Sequence, residues 1–245
     1  MVGRRQSGEP LQYVVGRWGF RSLDLMLDGR VLVPRPETEQ VVEAALEELG
    51  RTVAALAAGE TGGQAAPGGR PEVTVADLGT GSGAIALSLA AEVPGVRVWA
   101  TDVSEAALAV ARANLAGLGG MAATRVRLAH GSWFSALPQQ LRGRLSLVVS
   151  NPPYVAESEV AGLPTEVADW EPREALVSGP SGLEAIGVLL GDAPRWLAPL
   201  GAAVIEIAPH QVAAATTLAR EAGFVSAEVR PDLSGRPRTL IARLR

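Results

Sequence analysis

The chain has 245 residues, 47% of them hydrophobic, and a formal net charge of -4 at pH 7. These values predict one compact domain of the α/β class with a substantial core, and they disfavour nonspecific binding to nucleic acid, which normally requires a basic surface. The absence of cysteine excludes disulfides, thiolate metal sites and cysteine nucleophiles, and the two histidines, His130 and His210, are too few for a histidine-based metal site.

The N-terminal part of the sequence predicts a β-hairpin followed by a long helix. Residues 18–27 and 31–33 are predicted as two strands joined by a turn near Asp28. A helix should begin at about Glu37, because apolar residues recur there at intervals of three and four. Residues 59–71 are rich in glycine and proline, which predicts a flexible surface loop with no catalytic or binding role.

A glycine-rich turn follows the next predicted strand. This strand, residues 73–78, runs into the sequence Gly-Thr-Gly-Ser-Gly at 79–83 and then into a helix rich in alanine and leucine. Glycine lets the backbone turn sharply and lets a ligand approach where a Cβ atom would collide, while a helix N-terminus offers free N–H groups. A second strand, 96–101, ends at Asp102, whose carboxylate can accept hydrogen bonds from both hydroxyls of a ribose. This spacing predicts a site for a nucleoside-containing cofactor.

The glycine turn alone leaves two alternatives open. It also fits the dinucleotide fingerprint through Gly79, Gly81 and Ala84, which would suit an NAD-dependent oxidoreductase. A tight turn between strand and helix, with Asp102 as a helix cap, would bind no ligand.

The sequence Asn-Pro-Pro-Tyr at 151–154 follows the apolar strand predicted at 145–150. Two consecutive prolines cannot extend a strand ladder, so the carbonyls of Asn151 and Pro152 are left free. The Asn151 side-chain oxygen and the Pro152 carbonyl could then accept both hydrogens of a planar NH2 group, with Tyr154 stacking on it. The alternative is a rigid turn with Tyr154 packed at an edge. Together with the glycine turn, the motif points to S-adenosylmethionine as the cofactor.

The remaining elements continue the alternation of strands and helices. They are predicted at 106–115 (helix), 125–129 (strand), 182–197 (helix), 202–207 (strand), 210–222 (helix), 225–230 (strand) and 239–244 (strand). This alternation predicts a parallel sheet with helices on both faces, and ligands bind such sheets at the carboxyl ends of the strands. We therefore expect Gly79, Asp102, Trp133 and Asn151 to share one rim. The acidic residues of the loop 155–180 are interpreted as a solvated surface.

Several short motifs occur together in one order along the chain. They are Gly-Glu-Pro-Leu-Gln-Tyr at 8–13, Arg-Val-Leu-Val-Pro-Arg-Pro-Glu-Thr-Glu at 30–39, Asp-Leu-Gly-Thr-Gly-Ser-Gly at 77–83, Trp-Phe at 133–134, Ser-Asn-Pro-Pro-Tyr at 150–154 and Glu-Pro-Arg at 171–173. In this order they resemble the release-factor glutamine methyltransferases, also called the PrmC/HemK family. The stretch at 30–39 is the most specific, whereas Asn-Pro-Pro-Tyr is shared with adenine and other amino methyltransferases.

The resemblance implies a fold and a division of the chain. The implied fold is that of the class I S-adenosylmethionine-dependent methyltransferases, which is Rossmann-like, with helices on both faces of a mostly parallel seven-stranded sheet whose last strand is antiparallel. We expect an N-terminal segment with the β-hairpin at 1–35 and the methyltransferase catalytic domain at 36–245.

The resemblance also implies roles for particular residues. Those implied to bind S-adenosylmethionine are Gly79, Thr80, Gly81, Ser82 and Gly83 for the methionine part, Asp102 for the ribose, Trp133 along the adenine, and Asn151. Those implied to hold the substrate amide are Asn151 and Pro152, which are the expected catalytic residues, with Pro153 and Tyr154. A supporting role in closing the cavity is implied for Pro34, Arg35, Glu37 and Thr38, although Glu37 and Thr38 could equally belong to a turn and helix cap.

The implied reaction is N5-methylation of the glutamine side-chain amide of a Gly-Gly-Gln sequence in peptide chain release factors. Alternatives are an N6-adenine or other nucleobase amino-methyltransferase, a ribosomal-protein glutamine methyltransferase, which residues 36–38 disfavour, an NAD-dependent oxidoreductase, and a noncatalytic nucleotide-binding module. We expect a monomer that binds no specific nucleic acid sequence and no metal. No stretch has the character of a membrane span or signal peptide, so we expect a cytoplasmic protein.

The sequence departs from the family pattern in three places. Ser132 stands where an acidic residue is common, and Ala208 stands where a glycine is usual. The resemblance begins at about Gly8, so we expect most of the family's N-terminal helical domain to be absent.

Overall fold

The computed structural model describes residues 1–59 and 73–245. The predicted flexible loop lies outside the described residues, apart from Gly59. The helices of the described part are α1 (Val2–Gln6), α2 (Leu11–Val15), α3 (Pro36–Ala57), α4 (Ala84–Glu92), α5 (Glu105–Leu118), α6 (Gly120–Ala123), α7 (Thr165–Ala168), α8 (Arg173–Leu176), α9 (Glu184–Trp196) and α10 (Val212–Glu221). The strands are β1 (Arg17–Phe20), β2 (Leu23–Met26), β3 (Thr74–Leu78), β4 (Arg97–Asp102), β5 (Val126–His130), β6 (Leu145–Ser150), β7 (Val155–Ala156), β8 (Val177–Gly179), β9 (Leu197–Glu206), β10 (Ser226–Pro231) and β11 (Pro237–Arg243).

Seven of these strands form one sheet in the order β10-β11-β9-β6-β3-β4-β5. The pairs from β9 to β5 are parallel, and β11 is antiparallel to both of its neighbours. This confirms the mostly parallel sheet of the class I methyltransferase fold. The chain runs from β3 outward to β5 and then returns to add β6 on the other side of β3. Ligands bind such sheets at this reversal, beyond the carboxyl ends of the strands.

The two central strands, β3 and β6, are buried along their whole length. Because successive side chains of a strand point to opposite faces, Val75 packs in one hydrophobic cluster and Ala76 in the other. The first cluster includes apolar residues of α3 and α4, and the second includes apolar residues of α9 and α10. Burial on both faces explains why these strands read as continuous apolar runs.

Helix α3 begins where the sequence predicts it. Pro36 occupies the first turn, where its missing N–H costs nothing, and Glu37 and Glu39 place acidic groups near the positive end of the helix dipole. Val41 and Leu49 on its apolar face are fully buried. This packing fixes the N-terminal end of α3 beside the carboxyl end of β9, where Thr38 contacts Glu206.

The hairpin is present, but its predicted boundaries are wrong. Strands β1 and β2 pair from Arg17 to Met26, with the turn at Arg21, and residues 31–33 form no strand. Arg21 adopts a positive φ of 49°, which non-glycine residues rarely do. Its backbone N–H donates to Glu39, and its guanidinium binds Glu92 at 2.6 Å. These contacts with α3 and α4 hold the turn, and no local turn motif marks it in the sequence.

The segment 155–180 contains short elements, and one of its acidic residues is not solvated. The Glu171 side chain is 1% exposed and forms an ion pair with Arg35. The interpretation of this segment as a wholly solvated acidic surface is therefore wrong at Glu171.

Among the helices of the described ranges, none combines the length and hydrophobicity needed to cross a lipid bilayer.

Replacing Gly182 with alanine is expected to lower the free energy of unfolding by about 2–5 kcal/mol, from left-handed strain plus overpacking. Gly182 has a φ of +77°, and an added Cβ would lie 2.6 Å from the Tyr154 carbonyl oxygen. Gly187, within α9, is the matched control, because a Cβ there meets nothing within 4 Å. Gly187→Ala should stabilise the protein by about 0.5–1 kcal/mol. Urea unfolding followed by circular dichroism would measure both, and equal stabilities would contradict this view of Gly182.

Candidate active site

A cavity lies beyond the carboxyl ends of β3, β4, β5 and β6. The predicted site residues that line it are Pro34, Thr38, Gly79, Thr80, Gly81, Ser82, Asp102, Trp133, Asn151 and Pro153. Further lining residues include Arg30, Val31, Leu32, Ala84, Ile85, Val103, Ser104, Ala107, Gly131, Ser132, Pro172, Glu174 and Ala175. The sheet reversal thus brings together segments that lie far apart in the sequence.

Other predicted site residues lie beside this cavity and are not part of its lining. Gly83 is the N-cap of α4, and Pro152 is buried. The Tyr154 hydroxyl donates to Glu206 at 3.4 Å. Arg35 is paired with Glu171, and Glu37 accepts a hydrogen bond from Arg236 at 2.7 Å.

The glycine turn is held tightly against β4. The backbone N–H groups of Gly79 and Thr80 both donate to the Thr101 carbonyl at 2.9 Å, and Gly81 donates to Asp102 at 2.8 Å. Gly79 has a φ of +77°, and a Cβ there would lie 3.4 Å from the Trp133 ring. A larger residue would therefore be strained and would press against the indole.

Trp133 is held in an unusual backbone conformation. Its φ is 47°, which is rare for a bulky residue and costs conformational energy that the surrounding structure must offset. The turn places its indole beside Gly79, on the wall of the cavity. Strained backbone of this kind persists only where the surrounding packing holds the residue in place, and it is found most often at functional sites.

Asp102 anchors the rim at the end of β4. Its Oδ2 atom accepts from the Gly81 N–H and its Oδ1 atom from the Ser104 N–H at 2.9 Å. Burial raises the pKa of the Asp102 carboxyl, and the nearby Glu174 raises it further. Each carboxylate oxygen has more than one acceptor direction, so two further hydroxyl donors can be accommodated.

Asp77 supports the glycine turn from the end of β3. It was not predicted as a site residue. Its Oδ2 atom accepts from the Thr80 hydroxyl at 2.6 Å and from the Ala86 N–H at 3.1 Å. Asp77 is fully buried, and burial raises its pKa to about 7. The available signal was a single acidic residue within an otherwise apolar strand, immediately before the turn.

Asn151 belongs to a chain of hydrogen bonds that ends at a buried carboxylate. Its Nδ2 atom donates to the Thr38 hydroxyl at 3.1 Å, and that hydroxyl donates to Glu206 Oε2 at 2.7 Å. Within the described residues, no hydrogen bond reaches the Asn151 Oδ1 atom or the Pro152 carbonyl oxygen. Both oxygens at the end of β6 are therefore unengaged; Asn151 lines the cavity, whereas Pro152 is buried and lies outside its lining.

Glu206 is a site residue that was not predicted from the sequence. Burial raises the pKa of Glu206 to about 7, and the Thr38 hydroxyl bound to it acts in the opposite direction. The signal that could have revealed it is one charged residue in the apolar run of β9, which a solvent-exposed role would not explain.

Comparisons with known proteins agree with this fold. The model for the methyltransferase small domain matches residues 68–167. A release factor glutamine methyltransferase from Moorella thermoacetica is 43% identical over 98% of this chain and 77% of its own length. One from Xylella fastidiosa is 40% identical over 99% of this chain and 79% of its own length.

Solved structures support the fold alone, since their sequences are distant. A methyltransferase from Pyrococcus furiosus has a TM-score of 0.61 at 17% identity, covering 99% of this chain and 98% of its own. A ribosomal protein L11 methylase from Lactobacillus delbrueckii subsp. bulgaricus has a TM-score of 0.55 at 19% identity, covering 86% of this chain and 80% of its own.

Proposed function

Because the chain belongs to the release factor glutamine methyltransferase family, we propose that it methylates the side-chain amide nitrogen of a glutamine in a peptide chain release factor. Membership of this family makes it an S-adenosylmethionine-dependent methyltransferase, so the NAD-dependent oxidoreductase and the noncatalytic module are wrong alternatives. The observation that supports an NH2 group as the methyl acceptor is the unengaged side-chain oxygen of Asn151 on the cavity lining, beside the Pro152 carbonyl, which is also unengaged. We further propose that it acts as a monomer in the cytoplasm, where translation takes place.

The proposed cofactor contacts fit the groups that line the cavity. S-adenosylmethionine supplies a methyl group on a positively charged sulfur, ready for transfer to a nucleophile. Gly79 through Ser82 would hold its methionine part, where glycine backbone permits close approach. Asp102 would accept the ribose hydroxyls with its remaining acceptor directions, and the Trp133 indole would lie along the adenine. Support for this fit comes from the positive φ of Gly79 and the capacity left on the Asp102 carboxylate.

Asn151 and Pro152 would act on the substrate by positioning. An amide nitrogen is a poor nucleophile, because its lone pair is delocalised into the carbonyl. Accepting both of its N–H hydrogens would hold the nitrogen in place and stabilise the positive charge that it gains during transfer. Orientation of this kind can contribute up to about 7–11 kcal/mol in favourable cases. The proton of the methylated nitrogen can then leave to water.

The same pair of acceptors would fit the exocyclic amine of a nucleobase, so the choice of acceptor rests on the relatives. Relatives named for release factors reach 43% identity with this chain. The ribosomal-protein methylase among the structural neighbours is 19% identical. A release factor is therefore the substrate that the relatives favour over a nucleobase or a ribosomal protein.

Transfer of a labelled methyl group to three purified acceptors would test the proposal. The acceptors are a release factor, its variant with the Gly-Gly-Gln glutamine changed to alanine, and double-stranded DNA. We expect label only on the unaltered release factor, with mass spectrometry placing one methyl group on that glutamine. Equal labelling of the variant, or labelling of DNA alone, would overturn the proposed substrate.

A further inference from the structure

We propose that Thr38 and Glu206 are positioning residues that set the direction of the Asn151 side-chain amide, and that they do so only while Glu206 is ionised. The inference rests on the proposed function, in which the Asn151 oxygen accepts a substrate N–H. It gives Thr38 a defined task and brings Glu206, at the end of β9, into the reaction.

The three residues form a continuous chain in which Thr38 and Glu206 are buried and Asn151 is half-buried on the cavity lining. Thr38 is 3% exposed and Glu206 is 1% exposed, so water does not compete for their hydrogen bonds. The distances are 3.1 Å from Asn151 Nδ2 to Thr38 Oγ1, and 2.7 Å from Thr38 Oγ1 to Glu206 Oε2. The Tyr154 hydroxyl occupies the other carboxylate oxygen, Oε1, at 3.4 Å.

The chemistry of each group fixes the direction of the chain. An ionised carboxylate can only accept, so the single hydroxyl hydrogen of Thr38 is directed to Glu206. The lone pairs of Thr38 Oγ1 can then only accept from the Asn151 amide. Asn151 must turn its NH2 group toward Thr38, which leaves its oxygen on the opposite side of the amide. That oxygen is the one that the proposed reaction uses.

Protonation of Glu206 would reverse this order. The neutral acid can donate to Thr38 Oγ1, which frees the threonine hydrogen to donate to the Asn151 oxygen. The amide would then rotate and present its NH2 group to the substrate NH2 group, so that two donors face each other. Turnover should therefore fall when Glu206 is neutral.

The charged and titratable groups around Glu206 come from three directions. Arg238 on β11 lowers the pKa of the Glu206 carboxyl, and Glu37 on α3 raises it. The Tyr154 hydroxyl, in the segment after β6, donates to it and lowers its pKa. Burial raises the pKa more than Arg238 and Tyr154 lower it, and brings it to about 7. The Asn151 amide should therefore reverse its direction at a pH within the range in which enzymes are assayed.

A valine at position 38 tests the chain, because it keeps the shape of threonine and removes the hydroxyl. We expect Thr38→Val to lower kcat for release factor methylation by about tenfold to hundredfold, since the half-buried Asn151 amide then lacks its partner. The Kd for S-adenosylhomocysteine should stay within about twofold, as should KM for the release factor. Thr38→Ser should restore most of the turnover.

The matched control is Thr52→Val. Thr52 is another buried threonine of α3, and its hydroxyl lies 3.5 Å from the Leu200 carbonyl, so it takes no part in the chain. This variant should keep the wild-type kcat. A wild-type kcat in Thr38→Val would overturn the inference. Failure of the wild-type enzyme to modify the release factor would instead overturn the proposed function.

A pH profile separates positioning from a purely structural role. Wild-type kcat should fall as the pH drops below about 7, approaching tenfold per pH unit, because only the ionised fraction of Glu206 supports turnover. Asp77 also has a pKa of about 7, so the wild-type profile alone does not assign the group. Glu206→Gln should remove this inflection, because an amide does not titrate in this range, with binding of S-adenosylhomocysteine as the check on folding. An unchanged inflection in Glu206→Gln would overturn the role of its charge.

Discussion

Asn151→Ala is expected to lower kcat by about 10²- to 10³-fold, the size of effect seen when one group that stabilises developing charge is removed. The variant loses the side-chain acceptor at the end of β6 and leaves Pro152 alone to hold the amide. The cofactor cradle stays intact, because the glycine turn is held by Thr101 and Asp102. The Kd for S-adenosylhomocysteine should therefore remain within about twofold of wild type.

Single-turnover methylation of a release factor, paired with isothermal titration of the cofactor product, would measure both quantities for Asn151→Ala. Turnover close to that of the wild type would mean that the side-chain oxygen does not hold the substrate nitrogen. A parallel loss of cofactor binding would mean that Asn151 also holds the cofactor, and the loss of turnover would then not measure the substrate clamp alone.

Asp102→Ala should show the opposite pattern, with affinity for S-adenosylhomocysteine falling by about tenfold to hundredfold, as expected when hydrogen bonds to a charged group are lost. Two causes act together. The ribose loses its acceptor, and the Gly81 and Ser104 N–H groups lose the carboxylate that holds them. At saturating cofactor, the remaining loss of kcat should be smaller than the loss of affinity.

Asp102→Asn is the matched variant for that experiment. It keeps one carbonyl oxygen for the Gly81 N–H and loses the second acceptor and the charge. Its affinity for S-adenosylhomocysteine in the same titration should lie between those of Asp102→Ala and the wild type. An unchanged affinity in both variants would show that the ribose binds elsewhere.

The sequence pattern predicted the central features of the fold because those features are local. Apolar runs such as 145–150 become buried strands, and a glycine turn between strand and helix is recognisable from its own residues. Convergence of Gly79 and Asn151 on one rim then followed from the rule for parallel sheets. The family motifs added the cofactor and the chemical type of the acceptor.

Three of the features that escaped prediction, at Arg21, Glu171 and Glu206, depend on partners distant in the sequence. The turn at Arg21 is held by Glu39 and Glu92, neither of which is a turn residue. Glu171 is buried because Arg35 pairs with it across the fold. Glu206 is marked in the sequence as one charged residue in an apolar strand, but its bond with Thr38 forms only when β9 and α3 meet in the fold.

One departure from the family pattern has a simple structural account. Ala208 has φ and ψ angles of -77° and 148°, an extended conformation that any residue can adopt. Glycine is therefore not required there, and alanine causes no backbone strain. Ser132 lies on the cavity lining with a small side chain, and Glu174 lines another part of the same cavity.

The buried carboxyl of Glu206 makes the stability of the folded protein and its turnover change in opposite directions with pH. Its pKa is raised from an ordinary value of 4.5 to about 7, so the folded chain holds this proton more tightly than the unfolded chain. The resulting stabilisation is complete below the ordinary value and disappears as the pH rises through about 7. The enzyme should therefore melt at a higher temperature in mildly acidic buffer, where it works slowly, and at a lower temperature in the neutral to alkaline buffer that favours turnover.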